Sequence, residues 1–338
     1  MRTASSTATT AIGQPGSGSA PPQPLPSGPG DEPDAPAATS RGDAIVVENA
    51  SKSFDNGRTF AVENVSLHVP SGQTLALLGS SGSGKTTLLK AINRLVEIDS
   101  GRIQLGETDI ATLDKVELRR RIGYVFQGIG LFPHRRVRHN VETVPRLLGW
   151  PRAKRRERAC ELLDLVGLPA AQFADRFPDE LSGGQRQRVG VARALAADPD
   201  IVLMDEPFGA LDAVVRERLQ EEVRRIGREL RKTIIVVTHD LLEALAIADR
   251  IAVLHDGRVD QCATPQELLD SPATEFVRQL IETPRRLIDR MHGQLDRPAP
   301  SDPTADDGDA DGREFTLRGS RVVHPSERAG SRSSGEVA

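Results

Sequence analysis

Eight residues restrict this chain more than any others: Gly79-Ser80-Ser81-Gly82-Ser83-Gly84-Lys85-Thr86. They follow the apolar run Thr74–Leu78 and open the helical pattern Thr86–Asn93. A buried strand, a glycine-rich turn and a helix in that order satisfy every fixed position of G-x-x-x-x-G-K-[ST], the P-loop pattern. The glycines let the backbone curl with its N–H groups facing inward, and the start of the helix adds partial positive charge where a phosphate would sit. Most of the chain's positive charge is arginine, yet Lys85 stands where a compact cation rather than a planar fork suits the β- and γ-phosphates. Thr86 offers a hydroxyl to Mg²⁺ and Thr87 reaches the α-phosphate. The bland alternative, a Gly/Ser turn without a ligand, leaves the flanking strand and helix unexplained.

A second signal lies further along. Ile201-Val202-Leu203-Met204-Asp205-Glu206 is an apolar strand ending in two carboxylates. Such a strand delivers Asp205 to its end, where it can hold Mg²⁺ through water, and leaves Glu206 to polarise an attacking water. Alone this pattern is weak; downstream of a P-loop it becomes specific.

Around these motifs strand and helix patterns alternate. Ile45–Val47, Thr74–Leu78, Tyr124–Phe126, Ile201–Met204, Ile234–Val237 and Ile251–Leu254 are expected to be short buried strands, and several are near-continuous apolar runs, as parallel strands covered on both faces would be. Helical patterns such as Val215–Leu230 and Leu241–Ala248 lie between them, which predicts an α/β fold with a mostly parallel sheet. From about 129 to 200 strand signals vanish, and a helical insertion is expected.

Residues 1–43, rich in Ser, Thr, Ala, Gly and Pro, and residues 286–338, rich in Asp, Gly and Pro, carry too little apolar surface to offset the entropy of ordering. Both are expected to be disordered tails around a folded stretch at 44–285. Within the second, Asp307-Gly308-Asp309-Ala310-Asp311-Gly312 imitates the start of a calcium loop, but its twelfth position is Arg318 rather than a bidentate Glu. A solvated acidic tail is the expectation there.

Leu181-Ser182-Gly183-Gly184-Gln185 separates this chain from kinases, GTPases and helicases with P-loops. With the motifs above, the chain resembles the nucleotide-binding subunits of ABC transporters over about 44–285. That resemblance implies a P-loop NTPase of ABC type: a mostly parallel core sheet, an antiparallel β subdomain and an inserted helical subdomain. It implies ATP and Mg²⁺ as ligands. It further implies that Phe54 stacks on adenine and that Gln127 is the Q-loop glutamine, beside the metal with Thr86 and Asp205. Gly209-Ala210-Leu211-Asp212 would be the D-loop and His239 the switch histidine. In such a family two copies dimerise head-to-tail, so that Ser182 through Gln185 of one close over the ATP held by Lys85 of the other. Read from the residues alone, Phe54 also fits a core aromatic, Gln127 a surface polar residue and His239 a satisfied structural histidine. The presence of both Glu206 and His239 favours an active ATPase.

The segment Ile122–His134 with Asn140–Trp150 is similar to the ATPases of quaternary-amine importers, which carry glycine betaine, choline, carnitine or proline betaine. It lies where that family docks onto the coupling helix of its permease. Gly128 departs from the second glutamine common there, and Arg135, Arg136 and Arg138 make the following loop basic. Many osmoprotectant ATPases continue into a CBS module; no such module is expected here. The cluster Arg152, Lys154, Arg155, Arg156 and Arg158 is read as a solvated helix start.

The resemblance thus implies separate permease chains, an extracytoplasmic binding protein and a place at the cytoplasmic face of the cell membrane. The composition agrees. A net charge of -4 argues against a dedicated nucleic-acid binder. No apolar run approaches the roughly 18–20 residues of a membrane span, and Arg2 is not followed by the apolar stretch of a secretory signal. Cys160 and Cys262 form no metal or redox spacing and suit a reducing compartment. Three alternatives stay open: an importer of another small solute such as an amino acid, an ABC ATPase acting on DNA or ribosomes, and a non-hydrolysing ATP binder.

Overall fold

The computed structural model describes residues 43–282 except 129. The expected tails lie almost entirely outside the described residues, and so does the acidic segment at 307–312.

Among the described residues ten strands form two sheets. Strands β1 (Ile45–Ser53), β2 (Phe60–Val69), β4 (Ser100–Leu105) and β5 (Thr108–Asp109) make an antiparallel sheet in the order β2-β1-β4-β5. Strands β3 (Thr74–Leu78), β6 (Ile122–Val125), β7 (Ile201–Asp205), β8 (Thr233–Thr238), β9 (Arg250–His255) and β10 (Arg258–Ala263) make the second, in the order β10-β9-β3-β8-β7-β6. All its neighbours are parallel except the β9–β10 hairpin.

The continuous apolar runs are explained by two buried faces. Leu75 and Leu77 of β3, Ile201 and Leu203 of β7 and Ile235 and Val237 of β8 enter one core together with Leu88, Leu89 and Ile92 of α1 (Lys85–Ile92). On the opposite face Val202, Met204, Ile234 and Val236 pack into a core with Phe208, Val189 and Leu163, while Ala76 and Leu78 join Leu241 and Val253. Period-two alternation across a doubly covered sheet leaves no polar position, so alternation disappears from the sequence.

Five of the six expected strands lie in the second sheet within a few residues of their predicted limits, whereas Ile45–Val47 opens β1, which runs on to Ser53 and pairs antiparallel on both sides. Continuous apolar runs do not announce β2, β4, β5 and β10. β2 buries alternate residues (Val62, Val65, Leu67, Val69) and exposes Phe60, Asn64, Ser66 and His68, a half-solvated pattern with polar outer positions. That is the expected signature of an antiparallel sheet with one wet face.

After α2 (Lys115–Arg121), the stretch between β6 and β7 is helical: α3 (Val137–Val141), α4 (Thr143–Leu147), α5 (Arg152–Leu165), α6 (Ala170–Phe173) and α7 (Gly183–Leu195). The basic cluster begins α5 and is mostly exposed, with only Ala159, Leu162 and Leu163 of that helix buried. Helices α8 (Ala213–Glu229), α9 (Leu241–Ile247) and α10 (Pro265–Asp270) and a further helical stretch at 275–282, with Val277 and Ile281 buried, add to the covering layer. Among the described residues no helix is long and apolar enough to cross a membrane.

Candidate functional site

The carboxyl ends of β3, β6, β7 and β8 fall at one edge because the parallel registers align them: Leu78 opposite Thr238, Asp205 opposite Val237, and Val125 opposite Met204. Crevices at this edge are where open parallel sheets bind ligands.

The loop after β3 runs from buried Gly79 through exposed Ser80, Ser81 and Gly82 to buried Ser83 and Lys85, with Gly84 as the N-cap of α1. Its glycines are not equivalent. A Cβ on Gly79 would sit 2.1 Å from the Leu254 carbonyl oxygen, and one on Gly84 would sit 2.1 Å from the Ala61 carbonyl oxygen. Gly82 has positive φ too, but open space around it. The two fixed glycines of the motif are thus the two at which backbone from β9 and β2 approaches. Lys85 Nζ donates to the carbonyl oxygens of Gly79 (2.9 Å) and Ser80 (2.6 Å), which holds the loop curled around it. Burial pulls the lysine below its usual basicity, and the nearby Glu206 and Asp205 carboxylates oppose that.

Thr86 and Thr87 are half-buried on the first turn of α1. Thr86 Oγ1 donates to Asp205 Oδ1 at 2.8 Å. Asp205 is 2% exposed, so burial raises its carboxyl above the usual range while the Thr86 hydroxyl opposes that. A hydroxyl beside a carboxylate is a hard-oxygen pair of the kind Mg²⁺ takes when it also binds phosphate and water.

Glu206, the next residue, has a φ of +48°, a left-handed conformation costly for a side chain with a Cβ and typical of functional sites. Its carboxylate lies between two partners: Gln127 Nε2 donates to Oε2 at 3.2 Å, and His239 Nδ1 lies 3.5 Å from Oε1. The structure therefore brings together Lys85, Thr86, Asp205, Glu206, Gln127 and His239, which the sequence spreads over more than 150 residues.

The other predicted residues occupy separate elements. Phe54 follows β1 and is 67% exposed, with Lys52 Nζ 5.5 Å from its ring centre, so it is not a core aromatic. Ser182 is the N-cap of α7 and forms a reciprocal capping box with Gln185: Ser182 Oγ accepts from the Gln185 amide and Gln185 Oε1 accepts from the Ser182 amide. The Gln185 side chain is therefore engaged within its own chain. Gly183 has open space, whereas a Cβ on Gly184 would meet the Ala210 oxygen at 3.0 Å. Asp212 caps α8 by accepting from the Val215 amide. For Ser182–Gln185 and for Asp212 the sequence signal for a ligand coincides with a helix start.

Two features escape the sequence motifs. Gln187 of α7 is buried and bonded to the backbone on either side of the Glu206 turn. It lies in helical line with the buried Val191 and Ala194, and an amide on an apolar stripe is the signal that would have found it. Likewise Glu243 of α9 is buried, accepts from Thr238 Oγ1 at 2.6 Å and faces Arg216 of α8. Burial raises its carboxyl above the usual range.

Comparison with known proteins places the chain among its relatives. The family profile described as ABC transporter matches residues 62–209. The chain is 49% identical over 258 residues to the glycine betaine/carnitine/choline transport ATP-binding protein OpuCA of Bacillus subtilis, covering 75% of this chain and 67% of that protein. It is 51% identical over 235 residues to the glycine betaine uptake system ATP-binding protein YehX of Escherichia coli, covering 70% and 75% respectively. It is 44% identical over 254 residues to the sulfate/thiosulfate import ATP-binding protein CysA of Nocardia farcinica, covering 75% and 74%. The match thus spans about two thirds to three quarters of these relatives' length. Among solved structures, the dimeric ATP-binding cassette MJ0796 in a post-hydrolysis state bound to ADP and Pi superposes with a TM-score of 0.61 at 36% identity, covering 65% of this chain and 98% of that one. With the motif glycines, the carboxylate pair and the capped signature helix in place, the chain belongs to the ABC transporter family.

Proposed function

We propose that this chain, through a nucleotide-binding domain over 44–285, is the ATP-hydrolysing subunit of an importer of glycine betaine- or choline-type quaternary amines. The observation that carries the chemistry is the position of Glu206, held between Gln127 and His239 beside the P-loop. The observation that favours the substrate class is the level of identity to relatives named for glycine betaine, carnitine and choline, about half of all aligned residues, against 44% for the sulfate/thiosulfate relative.

In this reading Phe54 offers its exposed ring to adenine. The amides of the loop from Gly79 to Thr87 cradle the phosphates, and Lys85 turns from its own carbonyls to their oxygens. Thr86, Asp205 and Gln127 are the residues that would hold Mg²⁺, which when bound neutralises phosphate charge. Glu206 accepts a proton from the attacking water, and Gln127 and His239 keep its carboxylate aimed. A second copy completes each site with Ser182, Gly183, Gly184 and Gln185, so ATP binding favours the closed pair and hydrolysis releases it.

The partner surface is a groove of about 400 Å³ lined by Leu95, Phe126, Phe132, Val144, Arg119 and Arg193. Leu95, Phe126 and Phe132 are each about 40% exposed, an apolar strip that suits a short helix of a membrane-embedded permease. The chain accordingly works at the cytoplasmic face of the membrane, with permease chains and an extracytoplasmic binding protein.

The chemical reading is tested by Glu206→Gln, which should still bind ATP but release phosphate about 10²–10⁴-fold more slowly. Parental turnover would refute the assignment. Uptake of labelled glycine betaine or choline by cells with and without the chain tests the substrate. Unchanged betaine and choline uptake with lost uptake of an amino acid would replace this reading by the alternative.

A further inference from the structure

Glu206 must be held in a backbone conformation that its own side chain disfavours, and the groups that hold it are visible. Its amide donates to the Val237 carbonyl of β8 at 3.0 Å. Its carbonyl accepts from Gln187 Nε2 at 2.7 Å, and the same amide side chain accepts at Oε1 from the Ala210 amide at 3.2 Å. Gln187 is 4% exposed, so neither bond has water as a competitor. One side chain thus closes the turn from Glu206 to Ala210 from the inside, with its donor and its acceptor both used on backbone.

The place of Gln187 in the fold adds a consequence. It lies on α7, five residues beyond Ser182, the cap of the helix that would meet the ATP of the other copy. We propose that Gln187 is a positioning residue for hydrolysis. It locks the Glu206 turn in its left-handed form and ties that turn to the signature helix, so that the base of one site is set by the helix that serves the other. The inference rests on the assignment of Glu206 as the base.

A residue that acts this way affects the chemical step and not the hold on nucleotide, because it touches neither the P-loop nor Phe54. In the full-length chain, Gln187→Met replaces the amide with an apolar side chain of similar length and removes both bonds. It is expected to lower kcat about tenfold or more, with the KM for Mg·ATP within about twofold of the parent, since only the transition state needs an aimed base. Hydrogen exchange at the amides of Glu206, Phe208, Gly209 and Ala210 should quicken in the same variant. Gln187→Leu makes the same test should the first variant fail to give a cooperative thermal transition.

Parental kcat in a folded variant would overturn the proposal. So would a rise in KM that accounts for the whole loss of kcat/KM, or unchanged exchange at the amides of Glu206, Phe208, Gly209 and Ala210. Glu206→Gln assayed alongside separates the two readings. Normal turnover there refutes the base assignment, whereas an inactive Glu206→Gln with a fully active Gln187→Met refutes the positioning role alone.

Discussion

Gly82 and Gly84 lie two residues apart in one loop, both with positive φ, and the structure predicts that alanine at the two positions has very different effects. At Gly82, φ is +83° and nothing lies within 4 Å of an added Cβ, so the cost is conformational, about 1–2 kcal/mol. At Gly84, φ is +97° and the added Cβ would stand 2.1 Å from the carbonyl oxygen of Ala61. That oxygen belongs to β2, which is tied to β1 along most of its length and cannot retreat alone. Relief of the overlap shifts the sheet or the start of α1, and overpacking of this kind adds about 1–3 kcal/mol, for a total of about 2–5 kcal/mol. For a domain of this size each kcal/mol lowers Tm by about 2–4 °C. Gly84→Ala should therefore melt about 4–20 °C below the parent and Gly82→Ala about 2–8 °C below, with Gly84→Ala always the lower, by differential scanning calorimetry of the full-length chain. Displacement of the Gly84 amide and of Lys85 should weaken Mg·ATP binding in titration far more for Gly84→Ala. Equal melting temperatures for the two variants would refute the claim that close approach of β2, rather than the loop's own conformation, requires Gly84.

Further expectations concern Asp205 and Phe54. Because burial holds the Asp205 carboxyl above its ordinary range, the folded chain binds that proton more tightly than the unfolded one, and stability falls as pH rises from the ordinary carboxylate range through the raised value. Asp205→Asn removes that loss. Its Tm should rise relative to the parent as pH increases from acid to neutral, while stabilisation by Mg·ATP is diminished; a constant offset across pH in thermal melts would contradict the burial argument. Phe54→Ala should leave Tm nearly unchanged, since the ring is 67% exposed, yet weaken ATP binding by about 1–3 kcal/mol, the worth of one base–aromatic stack. Unaltered affinity in equilibrium titration would remove Phe54 from the site.

What the sequence by itself determined was local. Apolar runs too continuous to have a wet face indicated parallel strands buried on both sides. The P-loop announced itself because a strand, a tight turn and a helix start follow one another without interruption. The antiparallel sheet was less legible, since β2 interrupts its apolar positions with Glu63, Asn64, Ser66 and His68. Tertiary structure alone decided which groups meet. Thr86 and Asp205 are 119 residues apart in the chain, and Gln127 and Glu206 are 79 apart, yet each pair is within hydrogen-bonding distance. Their meeting follows from strand order and register, which set the ends of β3, β6, β7 and β8 side by side. The bonds of Gln187 also arise only in the fold, because a buried amide becomes informative when the backbone it satisfies can be named. Periodicity and turn chemistry are written residue by residue, whereas a site assembled from strand ends exists only once hydrophobic burial has fixed how the strands lie together.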